Sequence, residues 1–586
     1  MEFSIIANIF EEMQKTRSRL ILTDFLVKLI KKTPKDTIRR IIYLLQGKIY
    51  PDYEGIELGL AEKLTIRSIA QSTGNSIEKI EKIYFEIGDL GKTTEQVIEK
   101  KYQTTLMTEK ITVERVYDTF KKIANSTGSG SQLTKLRLVS SLLNDADPKE
   151  GKYIVKFLTG TLRLGIAENT IIDALSLAFT GNKGNKNKIE NAYNIHSDLG
   201  NVGEILSKKG LLELEKLKLT PLNPVRPMLA ERISSPEEAL ERVVNNKIAC
   251  EYKLDGERVQ IHKDNHKIEL FSRSLEKISS YYPDIIDLIS KFKINKMIVE
   301  GEIIPIDLET KKILPFQELM YRRRKYNIDE IVKIKPVKII LFEILFLEGD
   351  DCTKIPYVER RKILEKLFHD NKNKESNIEI VKQKILTDKK QIKKFLMESI
   401  KKSSEGLMLK QLDGTYRAGA REFLWMKLKQ EYDKKVNDTL DLTIVGALFG
   451  KGKRTGYYGA LLLAAYDNET NMYHSTCKVG TGFSDSNLEN IFNKLKNFIT
   501  KKKQDNIETN MKMDVWFEPK IVIEIIASEI TLSPSHTAGH DAIKKGSGLA
   551  LRFPKFTGKI REDKSPENST TCNELISMYK KQVKQV

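Results

Sequence analysis

The sequence predicts a multidomain chain with an all-α N-terminal domain, an α+β domain and a C-terminal β-barrel domain. Three observations support this fold class. Apolar residues recur at helical spacing up to about residue 220, short β-branched runs follow a proline-rich segment, and regularly spaced strand patterns occupy the chain from about residue 433. A chain of 586 residues is also too long for a single hydrophobic core.

The first domain, residues 1–220, is predicted to be helical. Ile5, Ile6, Ile9, Phe10 and Met13 follow the three- and four-residue spacing of one helix face, and the same spacing continues further along the chain. Strand-like alternation is scarce in this region. We therefore expect a helical domain.

The second domain, residues 221–432, begins with a predicted linker. Pro221, Pro224 and Pro227 cannot all lie inside a helix or a central strand. Beyond them, β-branched runs separated by helical spacers predict an α+β domain. These runs are residues 248–254, 258–262, 268–271, 297–304, 338–346 and 406–410.

The third domain, residues 433–586, carries short strand patterns at regular intervals. This spacing fits a small barrel such as an OB-fold, which commonly binds nucleic acid on one face. A basic helix is expected in the tail after residue 573. The strand patterns are residues 442–446, 459–464, 478–479, 515–517 and 522–525.

The charge balance favours a polyanionic partner. The chain has 99 Lys and Arg against 80 Asp and Glu, a net charge of +19. Such a charge creates a long-range positive field that attracts nucleic acid. A basic protein without a nucleic-acid partner remains the alternative on charge alone.

The cysteines and the N-terminal residues indicate in which cellular compartment the protein is expected. Cys250, Cys352, Cys477 and Cys572 lie far apart with no C-x-x-C pair, so a structural zinc site is not expected. Few cysteines suit a reducing environment. We find neither a signal or transit pattern at the N-terminus nor an apolar run of membrane-spanning length, and we expect a cytoplasmic protein.

The stretch Lys253-Leu-Asp-Gly-Glu-Arg-Val259 is the strongest local signal. Asp-Gly favours the positive φ angles of a type I′ turn, so we expect a hairpin with Lys253 at its mouth. Strand alternation would then place Glu251, Lys253 and Asp255 on one face. A solvated hairpin of mixed charge is the alternative.

This stretch resembles the nucleotidyl-lysine signature of ATP-dependent DNA ligases, which RNA ligases and mRNA capping enzymes also carry. The resemblance implies that Lys253 attacks the α-phosphate of ATP and forms a lysyl-AMP phosphoramidate. A lysine is protonated near neutral pH, so the site must favour loss of that proton by partial burial and nearby cations. Arg258, Arg273 and Lys427 are the expected cations.

The later strands resemble the remaining ordered motifs of the same family. Phe342 is expected to stack on adenine, although a core position is the alternative, and Glu302 is preferred to Glu300 for the ribose or metal. Mg²⁺ needs only one or two carboxylates besides substrate phosphates and water. The resemblance assigns ATP binding to Glu251, Arg258, Arg273, Glu302, Phe342, Arg421 and Lys427; the metal to Glu302 and Glu405; and further roles to Lys429, Arg561, Asp563 and Lys564.

Residues 152–168 resemble the signature helices of the N-terminal DNA-binding domain of archaeal and eukaryotic replicative ligases. The match favours DNA over RNA as substrate, and it implies that Lys152, Lys156 and Arg163 contact phosphates without selecting sequence. The residues near Gln103 resemble a degenerate sliding-clamp motif, and an ordinary loop is the alternative interpretation. We expect a monomer.

Together these resemblances indicate an ATP-dependent DNA ligase that seals nicks in duplex DNA during replication, repair and recombination, with ATP and Mg²⁺ as cofactors. An RNA ligase or capping enzyme and a catalytically inactive DNA scaffold are the alternative functions.

A second lysine, Lys410, lies three residues before an Asp-Gly pair instead of two. Strand alternation predicts that its side chain points away from the position corresponding to Lys253, so adenylation is expected on Lys253 only.

Overall fold

The computed structural model describes residues 1–16, 18–56, 58–100, 109–243, 246–323, 328–371, 377–429, 439–450, 454 and 456–584. The chain forms two compact units, one of Met1–Ile80 and Thr94–Gln430, the other of Glu81–Thr93 and Glu431–Val586. The predicted boundary between residues 432 and 433 lies outside the described residues. Within the described ranges, no helix has the length and apolar character needed to cross a membrane.

The N-terminal region is helical, as predicted. Helix α1 buries Phe3, Ile6, Phe10 and Met13 along one face, which is the spacing seen in the sequence. The helices are α1 Phe3–Gln14, α2 Arg19–Lys32, α3 Ile38–Leu45, α4 Glu62–Thr73, α5 Ile77–Ile87, α6 Leu90–Glu99, α7 Val113–Asn125, α8 Ser131–Asp145, α9 Pro148–Leu158, α10 Glu168–Thr180, α11 Lys186–His196, α12 Leu199–Lys209 and α13 Leu211–Leu214.

The α+β region contains two sheets. One has the strand order β1-β11-β10-β2-β9, and the other has β4-β3-β5-β6-β7 with β8 paired to β6. The strands are β1 Leu229–Ile233, β2 Ile248–Lys253, β3 Glu257–Asp264, β4 Lys267–Ser272, β5 Lys296–Pro305, β6 Val337–Leu347, β7 Asp350–Asp351, β8 Ile378–Ile380, β9 Gln383–Leu386, β10 Gly406–Gln411 and β11 Arg421–Lys429. The helices are α14 Pro236–Leu240, α15 Pro283–Ser290, α16 Ile328–Ile334, α17 Tyr357–Asn371 and α18 Lys389–Lys401.

Each sheet has its own core, and a third core joins them. Helices α14 and α18 contribute to the core of the five-stranded sheet, while α15 and α17 contribute to that of the other sheet. Between the sheets, Val225 and Met228 from the proline-rich segment pack in one cluster with Tyr416 and Trp425. The segment predicted as a linker is therefore part of the folded core at its C-terminal end.

The predicted hairpin at Lys253 is wrong. Strand β2 ends at Lys253 and belongs to the five-stranded sheet, whereas β3 begins at Glu257 in the other sheet. Neither Asp255 nor Gly256 has a positive φ angle. Gly256 is required for another reason, since a Cβ atom there would lie 2.3 Å from the carbonyl oxygen of Ile303. The Asp-Gly pair thus forms a tight crossover between two sheets.

The second unit contains a curved sheet of eight strands. Its path is β15-β17-β12-β13-β14-β16, with β18 paired to β12 and β21, and β19 pairs separately with β20. The strands are β12 Leu440–Phe449, β13 Tyr458–Asp467, β14 Met472–Val479, β15 Ile499–Thr500, β16 Ile507–Glu508, β17 Val515–Phe517, β18 Val522–Ile526, β19 Glu529–Ser533, β20 Gly548–Arg552 and β21 Lys555–Ile560; the helices are α19 Asp485–Leu495 and α20 Cys572–Lys584. This half-barrel, the helical region and the α+β region confirm the predicted fold classes.

Candidate active site

A cavity of about 270 Å³ opens between the two sheets of the α+β region. Polar and charged side chains occupy one part of its wall, and Phe342, Met408 and Trp425 provide an apolar part. Nine predicted site residues line the cavity: Phe342, together with Glu251, Lys253, Arg258, Arg273, Glu302, Glu405, Arg421 and Lys427. The structure therefore brings together residues that are up to 176 positions apart in the sequence.

The cavity floor is built by three neighbouring strands in register. Across β11, β10 and β2, one row consists of Lys429, Gly406 and Lys253. The next row consists of Lys427, Met408 and Glu251, and the third of Trp425, Lys410 and Ala249. Because alternate residues of a strand share a face, these three rows lie on the same side of the sheet.

Glu405 joins the two lysines of the first row. Its Oε2 atom lies 2.6 Å from Nζ of Lys253 and 2.7 Å from Nζ of Lys429. Burial opposes the ionisation of Glu405, but Lys253 and Lys429 outweigh this effect and lower the pKa of its carboxyl group. The structure thus places the candidate nucleophile in an ion pair with Glu405, and this contact must break before the amine can attack.

Gly406 makes this row possible. Its φ angle is +147°, and a Cβ atom would lie 2.3 Å from the carbonyl oxygen of Leu428 on β11. Any side chain at this position would push β10 away from β11. Glycine therefore allows Lys253 and Lys429 to approach the same carboxylate from opposite strands.

Glu302 is the second carboxylate at this end of the cavity. Burial raises its pKa to about 7, while Lys253 and Arg258 act in the opposite direction and Glu405 and Asp255 add to the increase. In this environment, a nearby cation stabilises the ionised form of the carboxyl group. Glu302 and Glu405 therefore fit a Mg²⁺ site, because that ion takes one or two carboxylates together with phosphate oxygens and water.

Glu300, the reserve candidate for this role, has a different position. It is 1% exposed, and its carboxylate accepts two hydrogen bonds from Nη2 of Arg258 at 2.9 and 3.1 Å. Arg258 also donates to the carbonyl oxygen of Met228 at 2.9 Å. The geometry thus favours Glu302 over Glu300, and it makes Arg258 a fixed cation in the cavity wall.

Lys427, Arg421 and Arg273 add positive charge around the cavity. Partial burial lowers the pKa of Lys427, and repulsion from Arg421, Lys253, Lys429 and Arg273 lowers it further. Mutually repelling cations are stabilised by an anion bound among them. This side of the cavity is suited to a polyphosphate.

The other side is aromatic. Phe342 and Trp425 meet edge to face with ring centroids 6.3 Å apart, and the guanidinium of Arg258 lies 5.5 Å from each ring. Phe342 is partly buried and lines the cavity, which is compatible with the predicted stacking on a base. The cavity therefore has separate ends for a phosphate chain and an aromatic group.

The predicted orientation of Lys410 is wrong. The strand register places it on the same face as Lys253, and its side chain contributes to the cavity wall. It differs from Lys253 in its surroundings, because it is 1% exposed and forms an ion pair of 2.8 Å with Glu251. The spacing to an Asp-Gly pair did not indicate the face, since that pair does not form a hairpin in the Lys253 motif.

Sequence reasoning missed the buried side chains behind the cavity. Tyr357 and Arg361 of α17 contact Glu251, and Arg360 of the same helix pairs with Glu343 at 2.9 Å. In the sequence, the adjacent arginines of Tyr-Val-Glu-Arg-Arg interrupt the apolar pattern of α17. This interruption was the sequence feature that could have identified these side chains.

Arg561, Asp563 and Lys564 lie in the second unit. Arg561 contacts Asp563 and Asp441, each with an N–O distance of 2.7 Å, and Lys564 also contacts Asp441 at 2.7 Å. The hydrogen bond from Arg561 holds the pKa of the Asp563 carboxyl group well below its usual value. The three residues thus form one charged cluster with Asp441.

The structure contradicts two of the three DNA contacts that were predicted for the helical region. Lys152 and Lys156 are 3% and 5% exposed. Nζ of Lys152 lies 2.7 Å from Glu11 and 3.1 Å from Glu95, so this lysine neutralises internal carboxylates. Their burial contradicts direct phosphate contacts by these lysines in this structure, whereas Arg163 is exposed. The predicted clamp motif near Gln103 lies outside the described residues.

A lysine between strands, two carboxylates and a cationic wall beside an aromatic pocket fit the site of a nucleotidyltransferase. Comparison with protein families identifies the type. The models "DNA ligase N terminus", "ATP dependent DNA ligase domain" and "ATP dependent DNA ligase C terminal region" match residues 2–176, 227–429 and 454–564. The chain belongs to the ATP-dependent DNA ligase family, whose cofactors are ATP and Mg²⁺.

Relatives match over the whole chain. A DNA ligase of Nitrosopumilus maritimus is 52% identical and covers 100% of this chain and 99% of its own length. DNA ligases of Cenarchaeum symbiosum and Saccharolobus solfataricus are 49% and 43% identical, with coverage of 100% of this chain and 99% and 98% of their own lengths. The solved structure Pmar-Lig_PreS3 has a TM-score of 0.54 at 16% identity, covering 94% of this chain and 98% of its own, and supports the fold.

Proposed function

We propose that this enzyme seals 5′-phosphate/3′-hydroxyl nicks in duplex DNA through a lysyl-AMP on Lys253. The observation that carries the assignment is the row of Lys253, Gly406 and Lys429 with Glu405 between the two lysines. It supplies one amine that can become the nucleophile and a second cation that stays beside it.

In the first reaction, Nζ of Lys253 forms a bond to the α-phosphorus of ATP, and the bond to the bridging oxygen of pyrophosphate breaks. Negative charge develops on the α-phosphate oxygens as phosphorus becomes five-coordinate. Lys427 and Lys429 approach from the same face of β11 and stabilise this charge. Bound Mg²⁺, held by Glu302 and Glu405, would neutralise the phosphates.

In the second reaction, the 5′-phosphate of the nick attacks the same phosphorus and the bond to Lys253 breaks. In the third, the 3′-hydroxyl attacks the 5′-phosphate, loses its proton and displaces AMP. Lys253 takes no covalent part in this last step. Arg561, Asp563 and Lys564 are proposed to orient the leaving pyrophosphate in the first reaction only, as the family resemblance implies.

The remaining roles concern partners and organisation. We propose three domains, residues 1–220, 221–432 and 433–586, and an enzyme that works as a cytoplasmic monomer in replication, repair and recombination. Arg163 is the retained candidate for phosphate contact in the helical domain. A sliding clamp bound near Gln103 is the further proposed partner.

Peptide mapping tests the central assignment. After incubation with ATP and Mg²⁺, we expect one covalent AMP on the peptide that contains Lys253, and Lys253→Ala should abolish both this adduct and sealing of a nicked DNA duplex from ATP. AMP on Lys410, or on any peptide that lacks Lys253, would contradict the proposal. Labelling with ATP but not with GTP, together with sealing of DNA nicks, would separate this function from capping and RNA ligation.

A further inference from the structure

Arg258, Gln260 and His262 form a polar row along β3. Alternate residues of a strand share a face, and the intervening Val259 and Ile261 belong to the apolar core on the other face. Gln260 and His262 are 4% and 0% exposed, and neither belongs to the cavity wall in the described part of the chain. Buried polar side chains are costly unless they are hydrogen-bonded, so the partners of these two residues indicate what they do.

The main chain of the proline-rich segment supplies their first partners. The N–H of Leu222 donates to Nδ1 of His262 at 3.0 Å. The N–H of Val225 donates to Oε1 of Gln260 at 2.7 Å. Because Nδ1 of His262 accepts, the proton of the neutral ring lies on Nε2, which donates to the same Oε1 atom at 2.8 Å. Burial lowers the pKa of His262 to about 3, so the ring is neutral near pH 7.

These contacts fix the direction of the Gln260 amide. Its Oε1 atom accepts from Val225 and from His262, so the NH₂ group must take the remaining two partners. It donates to the carbonyl oxygen of Val225 at 3.1 Å and to Oε1 of Glu300 at 3.3 Å. A reversed amide would place its NH₂ group against two other donors. Gln260 therefore always presents a donor to Glu300.

Glu300 has a full set of hydrogen bonds. Its Oε1 atom accepts from Gln260 at 3.3 Å and from Nη2 of Arg258 at 3.1 Å. Its Oε2 atom accepts from Nη2 of Arg258 at 2.9 Å and from the Tyr416 hydroxyl at 3.1 Å. The Tyr416 hydroxyl in turn accepts from the N–H of Met228 at 2.9 Å. Since a carboxylate accepts about four hydrogen bonds, Glu300 is fully occupied by protein donors.

The strand register shows that Arg258 is held away from its nearest carboxylate. Across β3 and β5, Gln260 lies directly opposite Glu300, whereas Arg258 lies directly opposite Glu302. Cβ atoms of direct partners are about 4.5–5.5 Å apart, and those of diagonal neighbours about 7–8 Å. Arg258 nevertheless pairs with its diagonal neighbour Glu300, at 2.9 Å. Among the described residues, the buried Nε atom of Arg258 has no hydrogen-bond partner.

We propose that Gln260 is a positioning residue that holds Glu300 toward Arg258, so that Glu302 and the Nε–H of Arg258 remain available to the nucleotide. Without this amide, the Glu300 carboxylate loses a fixed donor and turns, and the guanidinium gains by pairing with Glu302, its direct neighbour. The proposal rests on the nucleotidyl transfer to Lys253 proposed above. It adds a residue that acts on the nucleotide only through Arg258.

A mutant cycle tests whether Gln260 acts through this ion pair. The probe is α,β-methylene-ATP with Mg²⁺ at one fixed concentration, because its methylene bridge prevents displacement of pyrophosphate and binding is measured without reaction. Gln260→Met should raise the Kd of the probe about tenfold, as expected when hydrogen bonds to a charged group are lost. Wild-type affinity in this variant would overturn the proposal.

The second side of the cycle uses Arg258→Met/Glu300→Met as background. Replacing both members of a buried ion pair by apolar residues is often neutral for folding, whereas removing one member is not. In this background, Gln260→Met should change the Kd by less than about twofold, because the pair that it positions is absent. A tenfold effect in both backgrounds would show that Gln260 acts independently of Arg258 and would overturn the proposal.

Gln411→Met is the matched control. The amide of Gln411 also donates to main-chain carbonyl oxygens, those of Arg242 at 3.1 Å and Phe423 at 3.3 Å. Gln411 lies on β10 one residue beyond Lys410, so its side chain is on the face opposite the cavity. This variant should bind the probe with wild-type affinity. An equal rise in Kd would indicate general loosening of the fold and would contradict the proposal.

Tyr416→Phe gives an independent measurement should Gln260→Met fold poorly. It removes one hydroxyl donor from Glu300 and should raise the Kd about threefold or more, again only when Arg258 and Glu300 are present. Wild-type affinity in Tyr416→Phe would also overturn the proposal. Absence of lysyl-AMP in the wild type with ATP would instead refute the proposed function, since binding of the probe does not depend on that reaction.

Discussion

The row formed by Lys253, Gly406 and Lys429 can be disrupted by one methyl group. In Gly406→Ala, the new Cβ would lie 2.3 Å from the Leu428 carbonyl oxygen and 2.8 Å from Cα of Lys429. Reaching an ordinary contact requires the strands to move apart by about 1 Å, and a misplacement of this size costs roughly a hundredfold in rate. We therefore expect lysyl-AMP formation to fall by about that factor.

The same substitution should also destabilise the fold. The φ angle of +147° at Gly406 costs an alanine about 1–3 kcal/mol, and the clash adds about 1–3 kcal/mol more. Gly349→Ala is the matched control, because its φ angle is +113° and nothing lies within 4 Å of a Cβ atom there. Gly349→Ala should therefore lose only the stability that the positive φ angle costs an alanine, and it should form lysyl-AMP at the wild-type rate.

Two assays decide this prediction. Urea unfolding is followed by the fluorescence of Trp425, which lies on β11, in a Trp516→Phe background because the chain has 2 tryptophans. Single-turnover labelling with ATP measures lysyl-AMP formation. If Gly406→Ala matched Gly349→Ala in stability and labelled at the wild-type rate, the close approach of β10 and β11 would not be required for the reaction.

Three further predictions concern other parts of the molecule. Lys564→Ala should lose lysyl-AMP formation but still seal a nick that already carries a 5′-adenylate. An equal loss of activity in both assays would contradict the proposal that Lys564 acts only in the first reaction. Arg163→Gln should weaken nick binding and reduce the slope of log affinity against log salt by about 0.9, whereas Lys152→Met should lower the melting temperature and leave that slope unchanged. Burial raises the pKa of Glu302 to about 7, so the folded state holds an extra proton below that pH and the free energy of unfolding falls as pH rises toward it. In metal-free buffer, Glu302→Gln should therefore gain about 1–3 kcal/mol over the wild type at roughly pH 8 and little at roughly pH 4, as measured by urea unfolding.

The sequence by itself determined the features that depend on local periodicity. Apolar spacing identified the helical region, and β-branched runs identified β2, β3, β4, β5, β6 and β10 to within two residues of their observed ends. Strand alternation also placed Glu251 and Lys253 on a common face. These inferences succeed because the side-chain direction of a strand repeats every two residues wherever the strand lies.

Tertiary structure decided which strands are neighbours and which charges are buried. The Asp-Gly signal predicted a hairpin, but β3 joins the other sheet, because the packing of Gly256 against Ile303 overrides the local turn preference. Strand alternation predicts that Lys410 points away from the position of Lys253, and the family resemblance places Lys152 on DNA. The fold instead brings Glu251 to Lys410, and Glu11 and Glu95 to Lys152. A lysine's burial depends on partners that only the folded chain assembles, since an ammonium is stable in the interior when carboxylates and carbonyls surround it.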